Sequence, residues 1–197
     1  MGREQLTRAV HDNLRNLGLD VLDVINLRSM LRDDGPAEGS LEEPLSVIAD
    51  LRRQGLIRHV GLSNVTAAQV ARGRSTCDIV CVQNLYNLAD RSDAGLLQRL
   101  ALDRTAYVAY FPLGGNTPLQ SATLSSVARQ FGATPMQVAL AWLLQHAPNI
   151  LPIPGTSSLT HLRENLAAAA LTLPASAIKE LDALQHTRAS LQSDPER

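Results

Sequence analysis

The side chains that could do chemistry in this 197-residue chain follow short apolar runs, and most of them carry no charge. In chain order they are Arg28, Ser63-Asn64, Gln83-Asn84, Tyr110 with residues 111–115, and residues 154–158. None of these positions holds Asp, Glu or Lys. The set therefore consists mainly of amides, hydroxyls, aromatic rings and glycines.

These residue types favour the binding of a flat, uncharged headgroup over acid–base catalysis. Amides and hydroxyls supply the neutral donors and acceptors that a carboxamide needs, and the Tyr110 ring could stack on a heterocycle. Backbone N–H groups of Gly114-Gly115 and of Gly155-Thr156-Ser157, just before a predicted helix, could bind phosphate oxygens. Apart from the Tyr110 hydroxyl, these positions offer no general acid or base of the usual type.

Each feature also has a purely structural explanation. Ser63-Asn64 is equally explained as a turn that leads into a helix, and Gly114-Gly115 as an ordinary loop. Tyr110 could be a core residue, and Arg28 could pair with Asp33 or Asp34. Placement of all these residues at successive strand ends is what favours a binding site.

The elements that must position these residues alternate between strand and helix. The apolar runs predict strands over 21–27, 57–62, 79–83, 106–111 and 150–153, with amphipathic helices between them. Continuous apolar strands are typical of parallel sheets covered on both faces, which indicates an α/β fold. Five strands are compatible with an open doubly wound sheet or with part of a (β/α)8 barrel, and in both the carboxyl ends of the strands carry the chemistry.

Composition narrows the classes of function. The chain is 45% hydrophobic and 19% charged with a net charge of -1, so it lacks the basic excess of a nucleic-acid-binding protein. No apolar run approaches the ~18 residues of a membrane span, and no Cys/His cluster resembles a metal site. Cys77 and Cys81 are too far apart along a strand for a disulfide, so we expect a cytoplasmic protein. We expect one domain over residues 1–189, followed by a polar tail over 190–197.

Several motifs together resemble the aldo-keto reductase family of nicotinamide-dependent (β/α)8 barrel oxidoreductases. They are Leu17-Gly18-Leu19-Asp20, Gly61-Leu62-Ser63-Asn64, Gln83-Asn84-Leu85-Tyr86-Asn87, Tyr110-Phe111-Pro112-Leu113-Gly114, Ile153-Pro154-Gly155-Thr156 and Arg163-Glu164-Asn165. The resemblance covers nearly the whole chain, and it is to the carboxy-terminal part of bacterial members that resemble pyridoxal reductases. It implies an incomplete TIM-type barrel in which the first strands are missing.

The resemblance also implies a dinucleotide site. Ser63, Asn64 and Gln83 would hold the nicotinamide carboxamide, Tyr110 would stack on the ring, and Leu113 and Gly114 would lie along the pyrophosphate. The adenosine end would be held by Gly155, Thr156, Ser157, Glu164 and Asn165. The implied cofactor is NADP. NAD is the alternative, since the family's 2'-phosphate lysine and arginine align with Gly155 and His161.

The implied reaction is reduction of an aldehyde or ketone to an alcohol by hydride transfer, with a small-molecule carbonyl substrate. Three members of the family's catalytic tetrad, Asp, Tyr and Lys, would precede this chain, and the fourth, a histidine, aligns with Arg28. A guanidinium could steady a developing oxyanion but cannot shuttle protons. Arg28 by itself does not imply inactivity, but because the Asp, Tyr and Lys are missing, activity is expected to be lost. The alternative function is a non-catalytic nicotinamide-nucleotide-binding module or regulatory subunit. A lyase or isomerase would need a lysine or carboxylate at a strand end.

Two further expectations concern stability. A barrel that lacks its first strands has two open sheet edges, which favour self-association and a low unfolding temperature. Arg104 stands where a turn glycine is common in the family, and an arginine there is unfavourable if its φ is positive.

Overall fold

The computed structural model describes residues 2–32, 35–115, 119 and 121–184. Its elements, in chain order, are α1 Arg3–Leu17, β1 Leu22–Arg28, α2 Glu42–Arg53, β2 Ile57–Ser63, α3 Ala67–Gly73, β3 Ile79–Leu85, α4 Ala94–Leu102, β4 Ala106–Tyr110, α5 Ala122–Gln130, α6 Pro135–His146, β5 Ile150–Pro152, α7 Leu159–Ala167 and α8 Ala175–Asp182. The predicted tail over 190–197 lies outside the described residues. No described helix is long and apolar enough to cross a membrane.

The five strands form one sheet in the order β1-β2-β3-β4-β5. Strands β1, β2 and β3 are parallel, with Arg28 opposite Ser63 and Ser63 opposite Gln83. Side chains that are opposite one another on neighbouring strands point to the same face of a sheet. Arg28, Ser63 and Gln83 therefore form one row across the carboxyl ends of three strands.

All five strands end one or two residues from the predicted position, and the ends of β3 and β4 bear on the candidate site. Strand β3 continues past Gln83 to Leu85. Strand β4 ends at Tyr110 and not at Phe111, because Phe111 has a φ of 49°, which no strand residue adopts. The sequence pattern also predicts one helix over 159–170. In the structure this helix is divided, because α7 ends at Ala167 and a 3-10 turn, Ala168–Ala170, follows it.

The described residues cluster into two compact units, and one domain over 1–189 stays a prediction. Unit 1 consists of residues 1–84 and 99–108, and unit 2 of residues 85–98 and 109–197. In unit 1, the sequence predicts that Leu6, Val10, Leu14 and Leu17 form one face of α1. The structure buries the first three, whereas Leu17 at the end of the helix is 62% exposed. Burying one such side chain contributes about 1.5–3 kcal/mol.

The core of unit 2 is built around α6. Thr134 caps this helix through its hydroxyl, which accepts from the Gln137 N–H, and Pro135 occupies the first turn. Every residue from Val138 to Leu143 is buried. The sequence predicts burial on nearly all sides from Val138 to Leu144. This prediction is confirmed as far as Leu143, whereas Leu144 is 38% exposed.

An aromatic cluster closes one end of α6. The Tyr86 hydroxyl lies 2.9 Å from Nε2 of His146, and the His146 and Trp142 rings stack with centroids 4.4 Å apart. Trp142 Nε1 donates to Asp182 Oδ1 over 2.9 Å, and the Arg91 guanidinium lies 5.2 Å above the Trp142 ring. Burial lowers the pKa of His146 and raises that of Tyr86 to about 12.

Candidate functional site

The site in unit 1 starts from two rows of side chains at the ends of β1, β2 and β3. Asn26, Gly61 and Cys81 form the row that precedes Arg28, Ser63 and Gln83. Asn26 joins the rows: its Nδ2 donates to Gln83 Oε1 over 2.8 Å, and its Oδ1 accepts from the Cys81 thiol over 3.3 Å. Gln83 Oε1 is therefore occupied within the chain.

Gly61 lets these two rows meet. A Cβ built at Gly61 would collide with Asn26 Oδ1 and with Cys81 Sγ. The two side chains thus pass over the glycine, and only a residue without a side chain leaves room for them. Burial raises the pKa of the Cys81 thiol, and both Cys81 and Cys77 are free thiols.

Asn64 directly follows β2 and has a left-handed conformation, with a φ of 59°. Asparagine tolerates this region better than most residues do. Its backbone N–H donates to Gln83 O over 3.0 Å. Its Nδ2 donates to Arg32 O over 2.8 Å and to Ser29 O at 3.4 Å. Asn64 is fully buried, and its Oδ1 has no hydrogen-bond partner among the described residues.

Asn84 has a different role from Gln83. Its Nδ2 donates to Val65 O over 2.8 Å, and its Oδ1 accepts from Val65 N–H over 3.0 Å. Both ends of this buried amide therefore hold the turn that follows β2. Asn84 therefore stabilises the fold, whereas Gln83 is the strand-end amide that stays a candidate for binding a ligand.

Two side-chain atoms of unit 1, Gln83 Nε2 and Asn64 Oδ1, have no partner among the described residues. Gln83 is half-buried, and because its Oε1 accepts from Asn26, its Nε2 is the end that can donate to a ligand. The Asn64 Oδ1 is a buried acceptor without a partner in the described part of the chain, which costs about 1–3 kcal/mol until a donor reaches it. One donor and one acceptor match the C=O and NH2 of a carboxamide.

Arg28 lies at the exposed end of this row. Its register partner on β2 is Ser63, which is 4% exposed. Asp33 and Asp34, the alternative partners predicted for Arg28, lie outside the described residues. The structure therefore places Arg28, Ser63, Asn64 and Gln83 together.

In unit 2, the segment after β4 forms a tight turn around Phe111. Asn87 Nδ2 donates to Phe111 O over 3.0 Å, and Gly114 N–H donates to the same oxygen over 3.0 Å. A Cβ on Gly115 would lie 2.9 Å from the Phe111 ring, and Gly115 has a φ of 64°. This turn positions Tyr110, whose ring meets the Phe111 ring edge-on at 5.4 Å.

Since the Gly114 N–H is occupied within the turn, it is not one of the free N–H groups predicted for phosphate. Leu113 O accepts from Leu119 N–H over 3.3 Å, and residues 116–118 and 120 lie outside the described part.

The last candidate segment, in unit 2, connects β5 to α7. Gly155, Thr156 and Ser157 are exposed. Thr156 Oγ1 accepts from Ser158 N–H over 3.1 Å, and the Ser158 hydroxyl caps α7 by accepting from His161 N–H over 3.3 Å. The helix start predicted after this segment is confirmed. Glu164 and Asn165 lie further along α7 and are partly exposed.

Two residues that position this site, Asn26 and Gln69, are not among those predicted from the sequence. Asn26 is a polar residue within the apolar run of β1, which was a visible signal. Gln69 follows Thr66 by three residues, and this spacing is typical of a capping box. The box is present, with Thr66 N–H donating to Gln69 Oε1 over 2.9 Å.

Comparison with known proteins identifies relatives along nearly the whole chain. The model of the aldo/keto reductase family matches residues 1–186. Pyridoxine 4-dehydrogenase of Escherichia coli (strain K12) is 62% identical over 181 residues, which is 91% of this chain and 63% of that protein. An uncharacterised oxidoreductase of Schizosaccharomyces pombe is 33% identical over 178 residues, or 90% of this chain and 56% of that protein. The chain thus spans between 56% and 63% of the length of these two curated relatives.

Solved structures agree with the fold. A thermostable aldo-keto reductase in complex with the inhibitor epalrestat superposes with a TM-score of 0.80 at 37% identity, over 92% of this chain and 66% of that one. An aldo/keto reductase from Klebsiella pneumoniae in complex with NADP and acetate gives a TM-score of 0.75 at 28% identity, over 90% of this chain and 63% of that one. The fold is part of a (β/α)8 barrel, as the resemblance implied, and not an open doubly wound sheet.

Proposed function

The chain belongs to the aldo/keto reductase family, and on that premise we propose that it carries the nicotinamide-nucleotide site of an NADP-dependent oxidoreductase. The observation that carries the proposal is the pair of complementary atoms in unit 1, Gln83 Nε2 and Asn64 Oδ1. Gln83 would donate to the carboxamide oxygen of the cofactor, and Asn64 would accept from its NH2. The Klebsiella relative in complex with NADP supports the choice of cofactor, with NAD as the alternative.

The remaining assignments follow the family resemblance and are given for each unit separately. In unit 1, the Ser63 hydroxyl would bond the carboxamide beside Gln83, its register partner. In unit 2, we assign Tyr110 to the nicotinamide ring and Leu113 and Gly114 to the pyrophosphate. Gly114 would pack against the phosphates without donating to them, because its N–H donates to Phe111 O. The residues assigned to the adenosine end are Gly155, Thr156, Ser157, Glu164 and Asn165.

We propose reduction of an aldehyde or ketone to an alcohol as the reaction. Bound NADPH supplies the hydride. The Arg28 guanidinium, exposed at the end of β1, would steady the negative charge that develops on the carbonyl oxygen. Guanidinium does not release a proton near neutral pH, and the residues assigned to the site include no Asp, Glu or Lys besides Glu164 at the adenosine end. We therefore propose that this chain alone binds nucleotide and turns over carbonyl compounds slowly or not at all.

The proposed substrate class follows from the relative in Escherichia coli. Pyridoxine 4-dehydrogenase shares 62% of the aligned residues with this chain. We propose an aromatic aldehyde of the pyridoxal type and the corresponding alcohol. The second candidate function is a nucleotide-binding module or regulatory subunit without catalysis. The row formed by Arg28, Ser63 and Gln83 favours it, because these side chains do not transfer protons near neutral pH.

Titration of the purified chain with NADPH, followed by nucleotide fluorescence, tests the proposed function. We expect saturable binding that Gln83→Leu weakens about tenfold, the loss of about 1.4 kcal/mol. Gln98→Leu, at an exposed position on α4, is the control and should bind as the wild type does. Binding without oxidation of NADPH by added pyridoxal supports the non-catalytic candidate, whereas oxidation supports the enzyme. Absence of binding would contradict both.

We also propose that the chain associates with itself through its sheet edges. Strands β1 and β5 lie at the two ends of the strand order. Val24 of β1 is 51% exposed, and Leu151 of β5 is 56% exposed. Unpaired strand edges with apolar side chains favour pairing with another chain. Sedimentation velocity should show concentration-dependent association, and a strict monomer at high concentration would contradict it.

A further inference from the structure

Gln69 is a buried amide of α3 whose side chain reaches beyond its own helix. It is 2% exposed. Its Oε1 accepts from Thr66 N–H over 2.9 Å, which completes the capping box of α3. Its Nε2 donates to Ala37 O over 3.0 Å and to Gly39 O over 2.9 Å. Both carbonyls belong to the segment between β1 and α2, so α3 holds that segment in place.

This segment is packed against the part of the chain that directly follows β1. A Cβ on Gly39 would lie 2.6 Å from Leu31 Cδ1, so the Leu31 side chain rests on the Gly39 backbone. Leu31 lies between Ser29 and Arg32, the two residues whose carbonyls accept from Asn64 Nδ2. The contacts therefore run from Gln69 through Gly39 and Leu31 to the side-chain amide of Asn64.

The orientation of the Asn64 amide depends on those two carbonyls. An amide that faces two carbonyl oxygens must turn its NH2 toward them, because its own oxygen would be repelled. The Ser29 and Arg32 carbonyls thus fix Nδ2 on their side and leave Oδ1 as the acceptor. If the segment moved away, the amide could rotate and present a donor in place of an acceptor.

We propose that Gln69 is a positioning residue that acts through residues 29–32 and 35–39 to keep Asn64 Oδ1 as the acceptor in the nucleotide site. This inference rests on the proposed function. Its consequence is selectivity: an acceptor at Asn64 recognises the NH2 of a carboxamide and rejects a carboxylate at the same position. Loss of Gln69 should therefore reduce the preference for NADP over nicotinic acid adenine dinucleotide phosphate, its acid analogue.

The substitution that isolates this role is Gln69→Glu. A glutamate keeps the capping box, because its oxygen still accepts from Thr66 N–H, but as an ionised carboxylate it has no donor for Ala37 O or Gly39 O. The matched control is Gln137→Glu. Gln137 forms the same box with Thr134 on α6, at 2.9 and 3.2 Å, and its side chain makes no other hydrogen bond within the described residues.

The measurement is the ratio of the two dissociation constants for each variant. We expect the wild type and Gln137→Glu to prefer NADP about tenfold or more, and Gln69→Glu to lose most of that preference. The carboxylate added at position 69 would by itself disfavour the acid analogue, so a lower preference cannot be an effect of charge. A merely structural role of Gln69 would weaken both ligands equally and leave the ratio unchanged.

A second, uncharged variant approaches the same contact from the other side. Gly39→Ala pushes on Leu31 without changing Gln69, and we expect it to lower the ratio as well. It also decides the matter if Gln69→Glu does not fold. An unchanged ratio in the variants that fold overturns the inference while the proposed function stands. A wild type that binds neither nucleotide overturns both.

Discussion

Asn26 Nδ2 donates to Gln83 Oε1 over 2.8 Å, between strands that are separated by β2. The same Asn26 amide accepts from the Cys81 thiol through its Oδ1. Gln83 thus has one end fixed by the protein, and its Nε2 is turned outward as a donor. The carboxamide specificity that we propose for this row depends on Asn26, although Asn26 itself is not assigned to touch the nucleotide.

The first prediction concerns this orienting bond. Asn26→Leu should weaken NADP binding about three- to tenfold, because Gln83 then no longer has one fixed orientation. The measurement is the dissociation constant from nucleotide fluorescence. Asn13→Leu is the control, since Asn13 is an exposed amide on α1 whose Nδ2 bonds to Ala9 O, its one side-chain hydrogen bond within the described ranges. Equal affinity in the Asn26 variant and the control would show that Asn26 does not orient Gln83.

The second prediction concerns the crossing point over Gly61. Gly61→Ala should lower the free energy of unfolding by about 1–3 kcal/mol, because the new methyl group meets Asn26 and Cys81 in a filled space. Gly95→Ala is the comparison, as a Cβ at Gly95 in α4 meets nothing within 4 Å. That variant should be neutral or more stable by about 0.5 kcal/mol. The free energies of unfolding of both variants are measured by urea unfolding. Equal stability of Gly61→Ala and Gly95→Ala would contradict the close contact at Gly61.

The third prediction concerns the end of α4. Arg104 has a φ of 54°, with Thr105 N–H bonded to Leu100 O and Arg104 N–H to Ala101 O. This is a Schellman motif, in which glycine is preferred. Arg104→Gly should raise the free energy of unfolding by about 0.5–1 kcal/mol.

Gly55 provides the reverse test, because it ends α2 with the same two bonds and a φ of 82°. Gly55→Ala should lower the free energy of unfolding by about 1 kcal/mol. In one set of thermal melts, we expect Arg104→Gly to unfold at a higher temperature than the wild type and Gly55→Ala at a lower one. A destabilised Arg104→Gly would show that Arg104 has a role beyond its backbone.

The fourth prediction concerns pH and the aromatic cluster of unit 2. Burial lowers the pKa of His146 below its ordinary value of 6.5, so the unfolded chain binds the proton more readily. Neutral His146 therefore makes its full contribution to the free energy of unfolding above pH 6.5, and this contribution is lost as the pH falls below that value. The free energy of unfolding, followed by the fluorescence of Trp142, should decrease from pH 7.5 to pH 5.

His146→Gln should make that decrease smaller, because the titrating group is gone. His11→Gln, at an exposed position on α1, should leave it unchanged. The same slope in wild type and in the His146 variant would assign the pH dependence to other groups.

Most of the fold could be predicted from local signals. Gly18 predicts the end of α1, Thr66 the start of α3 and Thr134-Pro135 the start of α6, and all three are confirmed. These signals act within a few residues, so the sequence displays them directly. The strand order and the choice of a barrel needed more than spacing, and the family resemblance supplied that choice.

The division of work among the amides could not be predicted. Gln83 and Asn84 are adjacent amides in one strand, yet Asn84 bonds to the Val65 backbone, while Gln83 Nε2 has no partner among the residues that the structure describes. The difference arises because successive side chains of a strand point to opposite faces, and only the tertiary structure shows what each face meets. The partners of Asn26 and Gln69 are equally invisible, since they lie about 30 to 57 residues away along the chain.

The most direct test of the central claim is to observe the Gln83 side chain while NADP binds. In nitrogen-15 spectra of the labelled chain, we predict that the side-chain NH2 signals of Gln83 shift on saturation with NADP, whereas those of Asn13 on α1 do not. If NADP saturates the chain and the Gln83 signals stay in place, the carboxamide is not recognised by this row of side chains, and the account is contradicted.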